Sequence, residues 1–241
     1  MSSANGALII FEGSGCVGKS SAIDSFKNYL IENGIDHEII MNHANSPFTQ
    51  GLRDVLANWG ADATEHSKVF VYAAIWNELY IKTVKPALDA GKVVIMDRYI
   101  PTTYFFQAPA TDVTITSIMS NTLHQIADAC VYMTCDYTEV KNRIDKRLSV
   151  RNDRYNADFI KDSLKYLPEY EHAARMYSDR FIPVDTTNLS KEEVAQTIKE
   201  SLVGVLGEIT YEQSRDSAEP ARNNRPRRSQ CSSFYNGVEP R

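Results

Sequence analysis

Five short apolar runs punctuate the chain: "ALIIF" (7–11), "HEIIM" (37–41), "VVIMD" (93–97), "CVYMT" (130–134) and "FIPVD" (181–185). Helical periodicity fills the stretches between them. Strands of this length without a polar alternation are buried on both faces, and strand alternating with helix builds βαβ units. The expected fold is therefore α/β, a three-layer doubly wound parallel sheet of about five strands with helices on both faces. After the first run, Ile23, Phe26 and Leu30 recur at three- and four-residue steps, and Gly34 in "ENG" is placed to stop that helix. The stretch 64–90 reads as one long helix or two, ending at "DAGK". Residues 137–149 put Val140, Ile144 and Leu148 on one stripe, and 157–178 and 190–206 read as further helices. From about 208 the pattern stops in a segment rich in Ser, Pro, Asn and Arg. The expected organisation is one domain over 1–207 and a disordered tail over 208–241. Arg222, Arg225, Arg227 and Arg228 in that tail either touch nucleic acid or an acidic partner, or are only solvated, which is the commoner fate of such runs.

Composition narrows the setting. Hydrophobic residues make up 43% and charged residues 24%, the mix of an ordinary globular protein. No apolar run approaches the ~20 residues of a membrane helix. "MSSANGALIIFEG" has neither a basic leader nor a long apolar segment, so a cytoplasmic, intracellular protein without membrane contact is expected. Cys16, Cys130, Cys135 and Cys231 form no CxxC pair and read as free thiols. A formal net charge of -5 argues against a surface built broadly for nucleic acid.

Directly after the first run stands "FEGSGCVGKSS" (11–21), in which Gly13, Gly18, Lys19 and Ser20 fit G-x-x-x-x-G-K-[ST]. A strand before it and an amphipathic helix after it supply the context that this phosphate-binding loop requires. Glycines let successive backbone N–H groups turn inward, and the helix presents its positive end to an anion. Gly13, Ser14, Gly15, Cys16, Val17, Gly18, Lys19, Ser20 and Ser21 are thus the candidate ATP-binding loop. Lys19 would act on the terminal phosphates and the Ser20 hydroxyl on Mg²⁺. The alternative, a glycine-rich turn with an exposed lysine, leaves the order Gly-Lys-Ser unexplained.

Two further stretches carry chemistry. In "VVIMDRYIPTTYFFQAP" (93–109), Asp97 and Arg98 stand at the carboxyl end of a buried strand, where doubly wound sheets bind ligands. Asp97 would orient Mg²⁺ or its waters, and Arg98 would grip a phosphate with its planar fork; a plain Asp–Arg strand cap is the rival reading. In "RIDKRLSVRNDRYN" (143–156), Arg143, Lys146, Arg147, Arg151 and Arg154 crowd twelve residues. Such a run is either a lid that closes on transferring phosphates or a solvated basic helix end.

Taken together, these stretches resemble the thymidylate kinase family of nucleoside monophosphate kinases, from about residue 7 to residue 203. "FEGSGCVGKSS" is similar to that family's F-E-G-x-D-G-x-G-K-[ST]-[ST]. "VKPALDAGK" (84–92) resembles its R-P-A-L-x-x-G, "DRYIPTTYFFQ" (97–107) its D-R-Y-x-x-S-S-x-x-Y-Q, "DRY" (153–155) the end of its lid, and "VDTT" (184–187) the end of its last strand. The resemblance implies transfer of the γ-phosphoryl group of ATP, with Mg²⁺, to a deoxynucleoside monophosphate, foremost dTMP, by a homodimer. It implies Lys19, Asp97, Arg98, Arg151 and Arg154 as catalytic residues, Arg147 on ATP, and Ser20 and Asp97 toward the metal. Tyr72, Trp76, Arg98, Thr102, Thr103, Phe106 and Gln107 would face the acceptor, with Tyr72 against its base.

Departures from the pattern bear on the acceptor. Gly15 replaces an aspartate that serves the acceptor sugar, "NHANSP" (42–47) replaces R-E-P-G-G-T, and Trp76 replaces an arginine that reads the pyrimidine edge. Other acceptors therefore stay open, a modified deoxynucleotide among them. So do two other activities. Deoxynucleoside kinases, with E-R-S in place of D-R-Y and a glutamate before the loop's helix as base, are the nearest rival; a non-catalytic nucleotide-binding homologue is the other.

Overall fold

The computed structural model describes residues 6–41, 46–107, 126–148 and 166–216. The first apolar run, strand β1 (Ala7–Glu12), is buried at every position because it is the middle strand of the sheet. The other strands are β2 (His37–Ile40), β3 (Val93–Asp97), β4 (Ala127–Thr134) and β5 (Ser178–Asp185). Their order is β2-β3-β1-β4-β5 and every pairing is parallel, as expected from the βαβ pattern.

The period of two along β1 divides the core. Ala7, Ile9 and Phe11 face one layer, formed by α1 (Lys19–Glu32), α6 (Tyr137–Leu148) and α8 (Lys191–Asp216). Leu8 and Ile10 face the other, formed by α3 (Glu65–Leu79), α4 (Lys85–Asp89), α5 (Ile100–Gln107) and α7 (Leu167–Met176). Burying a side chain of the Leu, Ile or Phe kind contributes about 1.5–3 kcal/mol, so β1 anchors both layers at once. Helix α2 (Pro47–Trp59) is capped by Ser46, whose hydroxyl and backbone exchange hydrogen bonds with Thr49, and packs on α3 rather than on the sheet.

One helix or two was expected over 64–90, and two other elements differ from the sequence expectation. The stretch 64–90 is continuous: α3 passes through a π turn at Tyr80–Val84 into α4. Pro86 in the first turn of α4 lacks an N–H and crowds the carbonyl one turn earlier, which accounts for the widened turn before it. The helix expected over 157–178 ends at Met176, because Ser178 is already paired with Ala127 in the sheet; residues 157–165 lie outside the described ones. The last helix continues to Asp216, nine residues beyond the expected domain end at 207. Gly204 and Gly207 adopt no left-handed backbone and so do not stop it. The tail from 217 onward, with its arginines, lies outside the described residues.

Gly204 tests this helix directly. It is exposed within α8, and a Cβ placed on it meets nothing within 4 Å. Gly204→Ala should raise stability in urea unfolding by about 0.5–1 kcal/mol. Gly13→Ala should instead destabilise the fold, because at φ 131° its Cβ would fall 2.1 Å from the Met133 carbonyl oxygen.

Candidate functional site

All five strands being parallel, their carboxyl ends lie along one edge. The chain leaves β1 toward β2 on one side and crosses from β3 to β4 on the other, so the loops after β1 and β3 flank the point where the winding reverses. The loop after β1 is the phosphate-binding candidate. Gly13 (φ 131°) and Gly18 (φ 98°) both take conformations closed to most side chains, and Cys16 joins them at φ 63°. Gly18 caps α1, so the helix begins at Lys19 and its first N–H groups face the loop.

Lys19 is buried and folded back on its own loop. Its Nζ donates to the carbonyls of Gly13 (2.9 Å) and Ser14 (2.6 Å). Burial first, and then the positive charge of Arg98, bring its ammonium down to a pKa of about 7; Asp97 and Glu12 oppose that fall. Lysine and arginine are therefore within electrostatic reach of one another, across the two loops.

Arg98 follows β3 in a left-handed backbone conformation (φ 72°), rare for a residue with a side chain. Its N–H donates to the Phe11 carbonyl (2.9 Å), and the next N–H, of Tyr99, donates to Glu12 Oε1 (2.7 Å). The side chain turns to the same carboxylate's partners: Arg98 Nη1 lies 3.3 Å from Thr102 Oγ1 and 3.3 Å from Tyr170 Oη. Thr102 (2.7 Å) and Tyr170 (2.5 Å) both donate their hydroxyl protons to Glu12 Oε2, and Gly13 N–H donates to Tyr170 Oη (3.0 Å). Glu12 is 0% exposed, and burial raises its pKa; the donors from Tyr170 and Thr102, the charge of Arg98 and the Tyr99 N–H pull it back.

The acceptor candidates gather on α3 and α5. Tyr72 is half-buried one turn before Trp76. Trp76 is 1% exposed, donates its indole N–H to Thr103 Oγ1 (3.0 Å) and meets Tyr99 edge to face at 5.6 Å. It forms a wall of the core with its one donor engaged. Phe106 and Gln107 end α5, and Arg147 lies in the last turn of α6; the side chains of these three, and all of Arg151 and Arg154, lie outside the described residues. Arg143, from the same basic run, is turned inward. It donates to Thr186 Oγ1 (3.1 Å), to the Thr186 carbonyl (2.8 Å) and to the Cys16 carbonyl (3.5 Å), and pairs with Glu139 (2.9 Å). Thr186 in turn donates to Val17 or Thr134, so the turn after β5 braces the loop from behind.

For a metal, Ser20 is exposed in the first turn of α1 and Asp97 is half-buried at the end of β3. Among the described residues no three His, Cys, Asp or Glu side chains converge. One hydroxyl and one carboxylate suit a Mg²⁺ that arrives on phosphates and keeps several waters.

Sequence reasoning missed Glu12 and Tyr170 as site residues. Glu12 had a signal, being the one charge in a run otherwise apolar; Tyr170, 158 positions away, had none.

The family model for thymidylate kinase matches residues 11–198. The chain is 24% identical to a thymidylate kinase of Thermoanaerobacter sp. (strain X514) over 184 residues, covering 75% of this chain and 89% of that protein. It is 26% identical to a thymidylate kinase of Acholeplasma laidlawii over 200 residues, 81% of this chain and 98% of the relative. Over 107 residues it is 35% identical to a thymidylate kinase of Desulfotalea psychrophila, covering 44% and 52%.

Lys19 yields a proton-linkage test. With its pKa near 7, the lysine is largely neutral at pH 8.5, and phosphate oxygens placed on it favour the ammonium form. Binding of ATP at pH 8.5 should take up close to one proton, seen calorimetrically as a buffer-dependent enthalpy; at pH 6 the lysine is already charged and its uptake should vanish. Lys19→Ala should remove the pH 8.5 uptake.

Proposed function

Because the chain belongs to the thymidylate kinase family, we propose that it transfers the γ-phosphoryl group of ATP to dTMP, giving ADP and dTDP on the way to dTTP. The observation that carries this reading is the meeting of Lys19 and Arg98 at one edge of the sheet, tied through Glu12. Phosphoryl transfer asks the protein mainly for positioning and charge. The loop's N–H groups and the start of α1 hold the donor phosphates. Lys19 leaves the Gly13 and Ser14 carbonyls and moves to the terminal phosphates. Arg98 holds the acceptor phosphate in line. Thymidylate kinases use ATP with Mg²⁺; the metal, when bound near Ser20 and Asp97, would neutralise charge on the transferring group. Arg147, Arg151 and Arg154 would complete the cover over the phosphates.

Tyr72, Thr102, Thr103, Phe106 and Gln107 are proposed to surround the acceptor nucleoside, with Trp76 behind them. A nucleoside kinase would need a carboxylate base at a sugar hydroxyl. Glu12 does not suit that role, being buried and already accepting three hydrogen bonds. ATP supply and the free thiols Cys16, Cys130 and Cys135 favour a cytoplasmic setting. Among the described residues no helix is long and apolar enough to cross a membrane.

A homodimer is part of the proposal. Phe48, Leu52, Val55 and Trp59 recur at steps of four, three and four along α2, and Trp59 is 66% exposed. Phe70 of the neighbouring α3 is also exposed. A stripe of this period matches a facing copy of the same helix.

ADP release with ATP and Mg²⁺ should be fastest with dTMP among thymidine and the common deoxynucleoside monophosphates, and Lys19→Ala should lower it by about 10²–10³-fold. Preference for thymidine, or silence on every acceptor, would contradict the reading. In light scattering the wild type should show twice the mass of the chain, and Trp59→Glu should shift it toward the single chain.

A further inference from the structure

We infer that Tyr170 is a positioning residue that fixes the first glycine of the phosphate-binding loop relative to Arg98, through the hydroxyl it shares with Glu12. The inference deepens the kinase reading above and rests on it for the identity of the two substrates.

The ring of Tyr170 needs no hydroxyl to do its packing. It comes from α7, is 0% exposed, and meets Tyr132 edge to face at 5.4 Å, a contact that phenylalanine would keep. A buried hydroxyl is costly unless bonded, and this one has its bonds on both loops. It donates to Glu12 Oε2, accepts from Gly13 N–H, and lies within reach of Arg98 Nη1. Gly13 opens the loop that holds the donor, and Arg98 belongs to the segment that would hold the acceptor. The hydroxyl of a helix 157 residues away thus bridges the two sides of the reaction.

With Glu12 ionised, every donor around it is engaged. Oε1 then accepts Tyr99 N–H and Oε2 accepts both hydroxyl protons, which leaves the oxygens of Thr102 and Tyr170 turned to Arg98 and Gly13. A proton on Oε2 would force one hydroxyl to turn round, that of Tyr170 toward the Gly13 carbonyl at 3.3 Å or its neighbour Thr102 at 3.0 Å, and so would rearrange the link between the two loops. The groups facing Glu12 are Arg98 and Lys19, which favour the carboxylate, and Tyr132 and Cys130 of β4 with Tyr170 of α7, which stay neutral. Removing the Tyr170 hydroxyl takes away the largest of the hydrogen bonds that lower the Glu12 pKa, so the carboxyl should protonate at higher pH.

The test compares Tyr170→Phe with Tyr132→Phe, which removes a neighbouring hydroxyl bonded only weakly, at 3.5 Å, to the Leu167 carbonyl. In Tyr170→Phe, kcat on dTMP should fall about tenfold or more, KM for ATP should change by less than about twofold, and the acid limb of the kcat profile should move to higher pH. Tyr132→Phe should keep the wild-type profile. An unchanged kcat and acid limb would overturn the inference, as would a loss of kcat that follows a loss of Tm with the limb unmoved. A second readout needs no turnover: the infrared titration of the Glu12 carboxyl, identified by its loss in Glu12→Gln. It should shift to higher pH in Tyr170→Phe, and an unshifted titration sinks the inference. A shifted carboxyl in a wild type silent on dTMP would leave the network standing and remove only the kinase reading.

Discussion

A carboxylate taken out of water costs several kcal/mol unless donors surround it, and Glu12 is surrounded by donors from two separate segments. The Tyr99 N–H and the Thr102 hydroxyl come from the chain after β3, and the Tyr170 hydroxyl comes from α7. Arg98 supplies a positive charge beyond them. Loop, arginine and helix therefore cannot shift independently. The left-handed backbone of Arg98, which costs on the order of 1–3 kcal/mol, persists because the N–H groups on either side of its Cα are both held, one by Phe11 and one by Glu12.

The parts legible in the sequence are those whose physics is local. Gly13 and Gly18 announce a loop with positive φ, Lys19 the start of a helix, Gly34 its end, and the apolar runs a parallel sheet, of which the three central strands are buried on both faces and the edge strands β2 and β5 only in part. Each can be read within about ten residues. The Glu12–Tyr170 bond spans most of the domain, and Tyr170 in an amphipathic helix is indistinguishable from an ordinary core tyrosine. Arg143 shows the opposite error of scale: counted within a basic run it belongs to a lid, whereas its place one turn after Glu139 and opposite Thr186 makes it a brace for the loop. Helix α8 overran its expected end because the expectation followed the shift to Ser-, Pro-, Asn- and Arg-rich composition near 208, whereas the backbone stays helical to Asp216.

The acceptor side is shaped as much by what is engaged as by what is present. Trp76 gives its indole N–H to Thr103, and its ring closes against Tyr99. Were the proposed acceptor seated against this wall, the wall would offer its base shape and dispersion, and hydrogen bonds to the base edge would have to come from other groups. Arg98 Nη1 is drawn to Thr102 and Tyr170, which fixes the plane of its fork at the carboxyl end of β3.

The most direct measurement is a crystal structure with a bisubstrate analogue in which adenosine and thymidine are joined through a polyphosphate. The expected result has Lys19 Nζ moved from the Gly13 and Ser14 carbonyls onto the phosphates and Arg98 gripping the thymidine end. The hydrogen bond from Gly13 N–H to Tyr170 and the three bonds to Glu12 should be unchanged. Phosphates bound away from Lys19, or a Glu12 network broken when both halves are seated, would contradict the account.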